Sequence, residues 1–303
     1  MKGLLLTGDQ SGFEKEMEYV IGMFKKLGYD VDVANIYDIN VIVEDDFSGK
    51  ISIADEIIDV PDFVIVSAVR ERETYQIKAV LRMFESLGVV CINSIEAIEK
   101  TGDKLYSFQR AKKSVPEVKI PKTMYVNKNT PIDKIASEIG FPLVLKIMYG
   151  FQGKGVSLIN SKEELENVLD IIFASDFGDE IIAQQAILSS VGKDIRVVVG
   201  AAEVIHAFMR TNENDFKSNI HQGGLLKTFE PPQSLINIAI KLADVFDLKL
   251  GSIDFLVGEN EDEFYLCELN SVPGISYLFE AEEKGNEELI ERFASIPKKI
   301  LQL

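Results

Sequence analysis

The segment from 141 to 156 reads Phe141-Pro-Leu-Val-Leu-Lys146-Ile-Met-Tyr-Gly150-Phe-Gln-Gly153-Lys-Gly155-Val156. Its apolar run predicts a strand that ends at Lys146, and the apolar residues from Val156 onward predict a second strand. The three glycines between them let backbone N–H groups approach phosphate oxygens without a Cβ in the way. We therefore expect the tip of a β-hairpin that covers a polyphosphate, and the simpler alternative is a flexible surface hairpin.

The spacing of these glycines differs from two familiar nucleotide-binding loops. A P-loop has Ser or Thr after its Gly-Lys pair, but Gly153-Lys154 is followed by Gly155. A dinucleotide fingerprint has the order G-x-G-x-x-G at the start of a helix, whereas here the order is G-x-x-G-x-G before a strand. The function of the loop must therefore be inferred from the rest of the chain.

The composition argues against generic nucleic-acid binding. The chain has 303 residues, 46% of them hydrophobic, and a net charge of −17, which disfavours contacts with a phosphate backbone. Cys91 and Cys267 lie in apolar runs, and with only two histidines a zinc site is not expected. No apolar stretch has the length of a signal peptide or a membrane span. We therefore expect a cytoplasmic protein with no membrane partner.

The first third of the chain alternates strands and helices. Strands are predicted at 4–6, 31–34, 63–66 and 89–92, and helices at 17–27 and 77–87. This alternation predicts a parallel α/β layer, whereas the later segments combine strands and helices as α+β. We expect an N-terminal α/β domain at 1–98, a central domain with the glycine-rich loop at 99–182, and a third domain at 183–303.

A polar hairpin in the third domain carries candidate metal ligands. Strands at 252–257 and 264–270 flank a polar turn, and symmetric pairing about Glu261 places Asp254 opposite Glu268. Alternation along the second strand puts Glu268 and Asn270 on one face. Two carboxylates and a carboxamide oxygen suit Mg²⁺, and unpaired acids between apolar neighbours would be costly. The alternative is an exposed polar face on an ordinary hairpin.

These residues occur in an order that resembles the ATP-grasp ligases. The resemblance is greatest to the RimK-like group of carboxylate–amine ligases. It includes Gly102-Asp103-Lys104-Leu105, the glycine-rich loop, Asp194-Ile-Arg196, the stretch from Asp215 to Gly224, and Glu268-Leu-Asn270-Ser-Val-Pro-Gly274. The resemblance implies a three-domain ATP-grasp fold with ATP held between the middle and last domains. It also implies transfer of the γ-phosphoryl group to a carboxylate, followed by attack of an amine on the acyl phosphate.

The resemblance also implies roles for individual residues. The implied ATP site consists of Lys104, Lys146, Gly150, Gln152, Gly153, Gly155, Gln184, Gln185, Ala186, Ile187 and Ser189. The implied metal ligands are Asp254, Glu268 and Asn270, which would hold two Mg²⁺ or Mn²⁺ ions. Arg196 and Arg210 would bind the substrate carboxylate or the developing oxyanion, and Lys217, Asn219 and His221 would bind substrate. The alternatives are that each arginine is a surface ion-pair partner and that His221 is a hydrogen-bonded structural residue.

Two departures from the family pattern leave the substrate open. The hinge segment Gln184–Ser189 has no acid to bind the ribose, and Lys217 and Gln222 stand where the RimK pattern has arginines. We expect a peptide or small-molecule carboxylate and an amino acid such as glutamate as partners, and the family resemblance implies a homo-oligomer. The alternatives are a ligase that adds glutamate to a coenzyme and a nucleotide-binding regulatory module without turnover.

Overall fold

A computed structural model of the protein describes residues 1–8, 14–45, 49–67, 75–148, 155–174, 181–213, 215–218, 225–260, 262–273, 278 and 286–302. Within these ranges the chain forms one parallel sheet, three antiparallel sheets and the helices that cover them. The expected mixture of α/β and α+β structure is confirmed.

The N-terminal layer is a parallel sheet in the strand order β2-β1-β6-β7. Its elements are β1 (Lys2–Thr7), α1 (Glu14–Lys26), β2 (Asp30–Asn35), β6 (Phe63–Val66), α2 (Tyr75–Ser86) and β7 (Val90–Ile92). The strands and helices predicted from the hydrophobic pattern all form, within a few residues of their expected ends. The pattern did not predict the small antiparallel sheet of β3 (Ile39–Val43), β4 (Gly49–Ile53) and β5 (Glu56–Ile57) between β2 and β6.

Two helices connect this layer to the rest of the chain, α3 (Ile95–Gly102) and α4 (Lys104–Ser114). Each begins at a side-chain cap, as the Ser94 hydroxyl accepts from the Ala97 N–H and the Asp103 carboxylate accepts from the Tyr106 N–H. The cap at Asp103 fixes the start of α4 and thus the position of Lys104, its first residue.

The middle sheet has the strand order β10-β9-β11-β8 and is antiparallel throughout. Its elements are β8 (Thr123–Val126), α5 (Ile132–Ile139), β9 (Leu143–Ile147), β10 (Val156–Ile159), α6 (Lys162–Ala174) and β11 (Ile181–Gln185). Lys146 pairs with Val156, so the glycine-rich segment does connect the two strands of a hairpin. The expected domain boundary between 182 and 183 falls inside β11, which pairs with both β8 and β9.

The last sheet is antiparallel, with the strand order β14-β13-β12-β15-β16. Its elements are β12 (Lys193–Gly200), β13 (Glu203–Thr211), β14 (Leu225–Thr228), α7 (Gln233–Val245), β15 (Leu250–Val257) and β16 (Phe264–Asn270). One face packs against α7, where Ile195, Val197 and Phe255 share a core with Leu235 and Leu242. Because side chains alternate along a strand, Asp194, Arg196 and Asp254 lie on the opposite face.

The C-terminal helices α8 (Glu287–Ala294) and α9 (Ile296–Leu301) join the N-terminal layer to the last sheet. Phe293 and Ile296 belong to a core that also holds Leu5 and Phe63 of the parallel sheet and Phe208 of β13. None of the helices in the described ranges combines the length and apolarity needed to cross a membrane.

Candidate functional site

The charged residues of the last sheet are aligned across neighbouring strands. Asp194 lies directly opposite Arg210, and Arg196 lies directly opposite Asp254. Asp254 in turn lies opposite Glu268, which confirms the pairing predicted from the polar hairpin. Directly opposed residues in a sheet point to the same face, so the pairing gathers all five groups there.

Asp254 is held by two guanidinium groups. Arg196 donates from Nε and Nη2 to Oδ1 and Oδ2 of Asp254, each at 2.7 Å, and Arg210 Nη2 donates to Oδ2 at 2.7 Å. The carboxylate is only 1% exposed. Burial would raise the pKa of Asp254, but the two guanidinium groups outweigh it and hold this pKa well below its ordinary value. Asp254 is therefore a buried anion with its charge fully compensated.

Asp194 forms the second carboxylate of this cluster. Arg210 donates to it from Nε at 2.6 Å and from Nη2 at 2.5 Å, which makes the pair bidentate. The Ser218 side chain also forms a hydrogen bond with Asp194. Burial raises the pKa of Asp194 despite the opposing charge of Arg210. The pKa of Arg210 is raised well above its ordinary value: burial opposes the rise, and Asp254 and Asp194 cause it.

Glu268 and Asn270 provide oxygen atoms at the edge of the cluster. Both are partly exposed, and Asn270 Nδ2 donates to Glu268 Oε1 at 3.2 Å. Two carboxylates and a carboxamide form a hard donor set that fits Mg²⁺ or Mn²⁺, with the rest of the coordination left to water and phosphate. Asp254 can join this set only by sharing its oxygens with Arg196 and Arg210. Among the described residues, no three His, Cys, Asp or Glu side chains form a metal-binding group by themselves.

The two predicted phosphate-binding lysines lie on other elements. Lys104 Nζ, on α4, donates to the Met148 carbonyl at 3.2 Å, and Lys146 Nζ, on β9, lies 4.0 Å from Cys267 Sγ on β16. Cys267 is the extra residue of a β-bulge, because Asp254 pairs with Glu268 whereas Phe255 pairs with Leu266. Burial raises the pKa of the Cys267 thiol to about 11, and the nearby Lys146 opposes this.

Gly155 is required at the base of the glycine-rich hairpin. Its φ of +73° lies in the left-handed region, and a Cβ at this position would overlap the side chain of Ile147. Its N-terminal neighbours at 149–154, including the predicted ATP ligands Gly150, Gln152 and Gly153, lie outside the described residues.

The predicted ATP-binding hinge segment, Gln184–Ser189, begins at the end of β11. Gln184 is 1% exposed and its Nε2 donates to Thr123 Oγ1 at 2.8 Å, so this side chain has a structural partner. Gln185 is exposed, whereas Ala186 and Ile187 are partly exposed and continue the chain toward the last sheet.

The hydroxyl of Ser189 does not point freely into solvent. Ser189 Oγ donates to the Val257 carbonyl at 2.8 Å, which ties the hinge to the end of β15. The oxygen keeps lone pairs that can accept from a ribose hydroxyl, but it cannot also offer its proton without losing this bond.

The predicted substrate residues are described only in part. Lys217 is partly exposed and its Nζ lies 5.4 Å from the centroid of the Phe216 ring. Its backbone N–H donates to the Asp215 carboxylate at 3.1 Å. Asn219 and His221 lie outside the described residues.

Residues 101–289 match the RimK-like ATP-grasp domain. The chain belongs to the RimK-like ATP-grasp family. The resemblance predicted from the ordered motifs is thereby confirmed, and the family makes the protein an ATP-grasp ligase by class.

Two relatives of this RimK-like chain carry the name probable alpha-L-glutamate ligase. One, from Vibrio atlanticus, is 31% identical over 222 residues, which cover 73% of this chain and 72% of the relative. The other, from Rhodopirellula baltica, is 31% identical over 204 residues, or 67% of this chain. This chain spans about half, 49%, of the Rhodopirellula protein.

Solved ATP-grasp ligases share the fold. A ligase from Chryseobacterium gregarium, in complex with ADP and a leader and core peptide, has a TM-score of 0.72 at 18% identity, covering 97% of this chain and 96% of that one. The ligase PsnB, complexed with a phosphomimetic variant of its minimal precursor, Mg and ADP, has a TM-score of 0.67 at 16% identity, with 91% of each chain covered. At these identities the likeness shows the fold alone.

Sequence reasoning missed two contributors to the site. Asp194 was noted only as part of a motif, although its spacing of two from Arg196 on a strand places both side chains on the same face. Cys267 gave no such signal, because the position of a bulge depends on the pairing of both strands.

Proposed function

We propose that this protein is an ATP-dependent ligase that joins the amine of an amino acid, with glutamate as the first candidate, to a peptide or small-molecule carboxylate. The γ-phosphoryl group of ATP moves to the acceptor carboxylate and ADP leaves. The amine then attacks the acyl phosphate, loses a proton, and displaces phosphate to form the amide. The family and the names of its relatives support this reaction and this amine.

The observation that carries the proposal is the polar face of the last sheet. Asp254 and Glu268 lie opposite each other there, with Arg196 paired to Asp254 and Lys146 close to the same strand as Glu268. Phosphoryl transfer depends on positioning and charge neutralisation, and this face combines carboxylates for cations with cations for phosphate and carboxylate.

Each group on this face has a distinct task in the proposed reaction. Lys104 and Lys146 neutralise phosphate oxygens of the nucleotide. Arg196, whose side chain is 17% exposed, is the guanidinium best placed to bind the acceptor carboxylate or the oxyanion. The glycine-rich segment between β9 and β10 would exclude water from the acyl phosphate.

The metal-binding task falls to Asp254, Glu268 and Asn270. When bound, two Mg²⁺ or Mn²⁺ ions would neutralise the charge that develops on the phosphate oxygens. Asp254 accepts from Arg196 and Arg210, so we expect it to share its oxygens between these guanidinium groups and a bound cation. A metal bound by PsnB and ADP bound by both solved ligases are consistent with this assignment.

A trapping experiment tests the reaction. The protein is incubated with ATP, Mg²⁺, glutamate and a panel of peptide and small-molecule carboxylates, and ADP release is measured together with hydroxamate formed from added hydroxylamine. We expect ADP and hydroxamate with at least one acceptor. Binding of a non-hydrolysable ATP analogue without ADP release from any acceptor would instead favour a regulatory module.

A pair of variants in the same hairpin provides the control. Glu268→Gln removes a predicted metal ligand. Glu263→Gln instead removes a carboxylate that pairs with Lys119 at 2.6 Å and accepts from the Tyr265 hydroxyl and the Glu259 N–H. We expect ADP release to fall at least a hundredfold in the first and to stay within a factor of two in the second. Equal losses in both would contradict the assignment of Glu268.

The identity of the acceptor distinguishes the ligase proposed above from the alternative ligase that adds glutamate to a coenzyme. Amide formation on a coenzyme carboxylate rather than a peptide would favour the coenzyme-tailoring function. The division into segments 1–98, 99–182 and 183–303, a cytoplasmic location and a homo-oligomer stay predictions.

A further inference from the structure

Asp194 is a buried carboxylate to which the proposed reaction assigns no contact with substrate. It is 6% exposed and forms a bidentate pair with Arg210, which lies directly opposite on the neighbouring strand. It also forms a hydrogen bond with Ser218, in the same loop as Lys217. A buried charge is retained at such a position only if its partners compensate the loss of hydration.

Arg210 and Arg196 differ in accessibility. The side chain of Arg210 is 6% exposed and that of Arg196 is 17% exposed, although both donate to Asp254. Arg210 is enclosed between two carboxylates, so its position favours an action through Asp254 over direct contact with substrate. Arg196 remains the guanidinium that can turn toward a ligand.

The charges of the two arginines and the two buried aspartates balance, and Glu268 adds a further carboxylate at the edge of the cluster. Two guanidinium groups face two carboxylates, and Arg210 Nη2 donates to both Asp194 and Asp254, at 2.5 and 2.7 Å. If Asp194 lost its charge, Asp254 would be the only carboxylate that the structure shows hydrogen-bonded to the two guanidinium groups. The oxygens of Asp254 would then be bound more tightly by the arginines and would be less available to a cation.

We propose that Asp194 is a positioning residue that holds Arg210 and thereby keeps Asp254 available as a metal ligand. The inference rests on the proposed function, because it takes Asp254 to be a ligand for the cation that accompanies ATP. Groups that orient a metal ligand typically change metal affinity by about 10–100-fold when they are replaced.

The test measures metal binding directly. Asp194→Asn keeps the shape of the side chain and removes its charge. Mn²⁺ binding is measured by electron paramagnetic resonance in the presence of AMPPNP, at a temperature well below the melting point of every variant. We expect Mn²⁺ to bind at least tenfold more weakly to Asp194→Asn than to the unaltered protein.

Two further variants separate positioning from stability and from net charge. Glu117→Gln loses one negative charge from a surface ion pair with Lys241, and we expect its Mn²⁺ affinity to stay within a factor of two. Asp194→Asn/Arg210→Gln removes both charges of the buried pair, and we expect its Mn²⁺ affinity to lie within threefold of the unaltered protein. A role in folding alone would lower the melting temperature without this pattern of affinities.

Each outcome decides the inference. Unchanged Mn²⁺ affinity in a folded Asp194→Asn variant overturns it, and so does a double variant that binds as weakly as we expect of the single one. If Asp194→Asn does not fold, the double variant still tests the inference, which is overturned if the double variant binds Mn²⁺ at least tenfold more weakly than the unaltered protein. Failure of the unaltered protein to bind Mn²⁺ with AMPPNP would refute the proposed function itself, which is a different result.

Discussion

Asp254→Asn tests whether the charge cluster stabilises the metal-free protein. The substitution preserves the shape of the side chain but leaves Arg196 and Arg210 with the single carboxylate of Asp194. Removal of one partner from a buried ion pair costs about 3–5 kcal/mol, because the remaining charge is left uncompensated. Asp254 is 1% exposed, so solvent screening reduces this cost little.

The expected loss translates into a measurable shift in melting temperature. A protein of 303 residues has an unfolding entropy of about 0.6 kcal/mol/K, so this loss lowers the melting temperature by about 5–8 °C. The lowered pKa of Asp254 means that its stabilisation is present above the ordinary value of 3.8 and is lost as the pH falls below it. The contribution of the Asp254 carboxylate to stability should therefore be constant from pH 8 to pH 5.

Thermal unfolding with EDTA present measures this shift, and two variants control it. Glu268→Gln also removes a predicted metal ligand, but Glu268 forms no bidentate pair with any arginine that the structure describes, so we expect a change below 2 °C. Arg196→Met/Asp254→Asn removes both members of one pair and leaves the pair of Arg210 and Asp194, so it should regain part of the loss. A shift below 2 °C in Asp254→Asn, or no recovery in the double variant, would refute the charge-balance reasoning.

Three further predictions concern other parts of the structure. Gly155→Ala should destabilise the protein by about 1–3 kcal/mol in a urea titration, because φ is +73° and the new Cβ overlaps Ile147. Gly22→Ala is the control: this position in α1 has open space around it, so the substitution should stabilise the protein by about 0.5–1 kcal/mol. Iodoacetamide should modify Cys267 slowly at pH 8, because a pKa of about 11 leaves about one thiol in a thousand ionised. Peptide mapping should show the modification rate rising about tenfold per pH unit, and a rate like that of a free cysteine would contradict the prediction. Asn93→Asp should lower the free energy of unfolding by about 2–5 kcal/mol, because Asn93 Nδ2 donates to the carbonyls of Leu250 and Ser271 and a carboxylate cannot donate. Urea titration measures this change, and a loss below 1 kcal/mol would argue against the prediction.

The elements with a regular hydrophobic pattern were predictable from the sequence. The parallel layer followed from alternating strand and helix periods, and the hairpin at 254–268 followed from two apolar strands around one polar turn. The small sheet of β3, β4 and β5 was missed, because its strands are short and several of their apolar side chains, such as Val43 and Ile57, are exposed.

The candidate site was predictable in its residue types and in the pairing of Asp254 with Glu268, but not in its ion pairs. The sequence indicated Arg196, Arg210 and Asp254 as functional groups, and it assigned the arginines to substrate and the acid to metal. The structure pairs these groups with one another and with Asp194, which depends on the register of three strands. Register is a property of the assembled sheet, so no local pattern in one strand reveals it.

The core around Phe293 and Phe208 has a consequence for how this protein can be divided. The family match ends at residue 289, yet Phe293 and Ile296 lie beyond it, and Leu5 and Phe63 lie before its start at 101. A fragment trimmed to the matched region would leave Val198, Phe208 and Leu250 facing water where these side chains now cover them. The minimal folding unit thus extends past the region that sequence comparison recognises, and shortened versions made for crystallisation or screening need both ends of the chain.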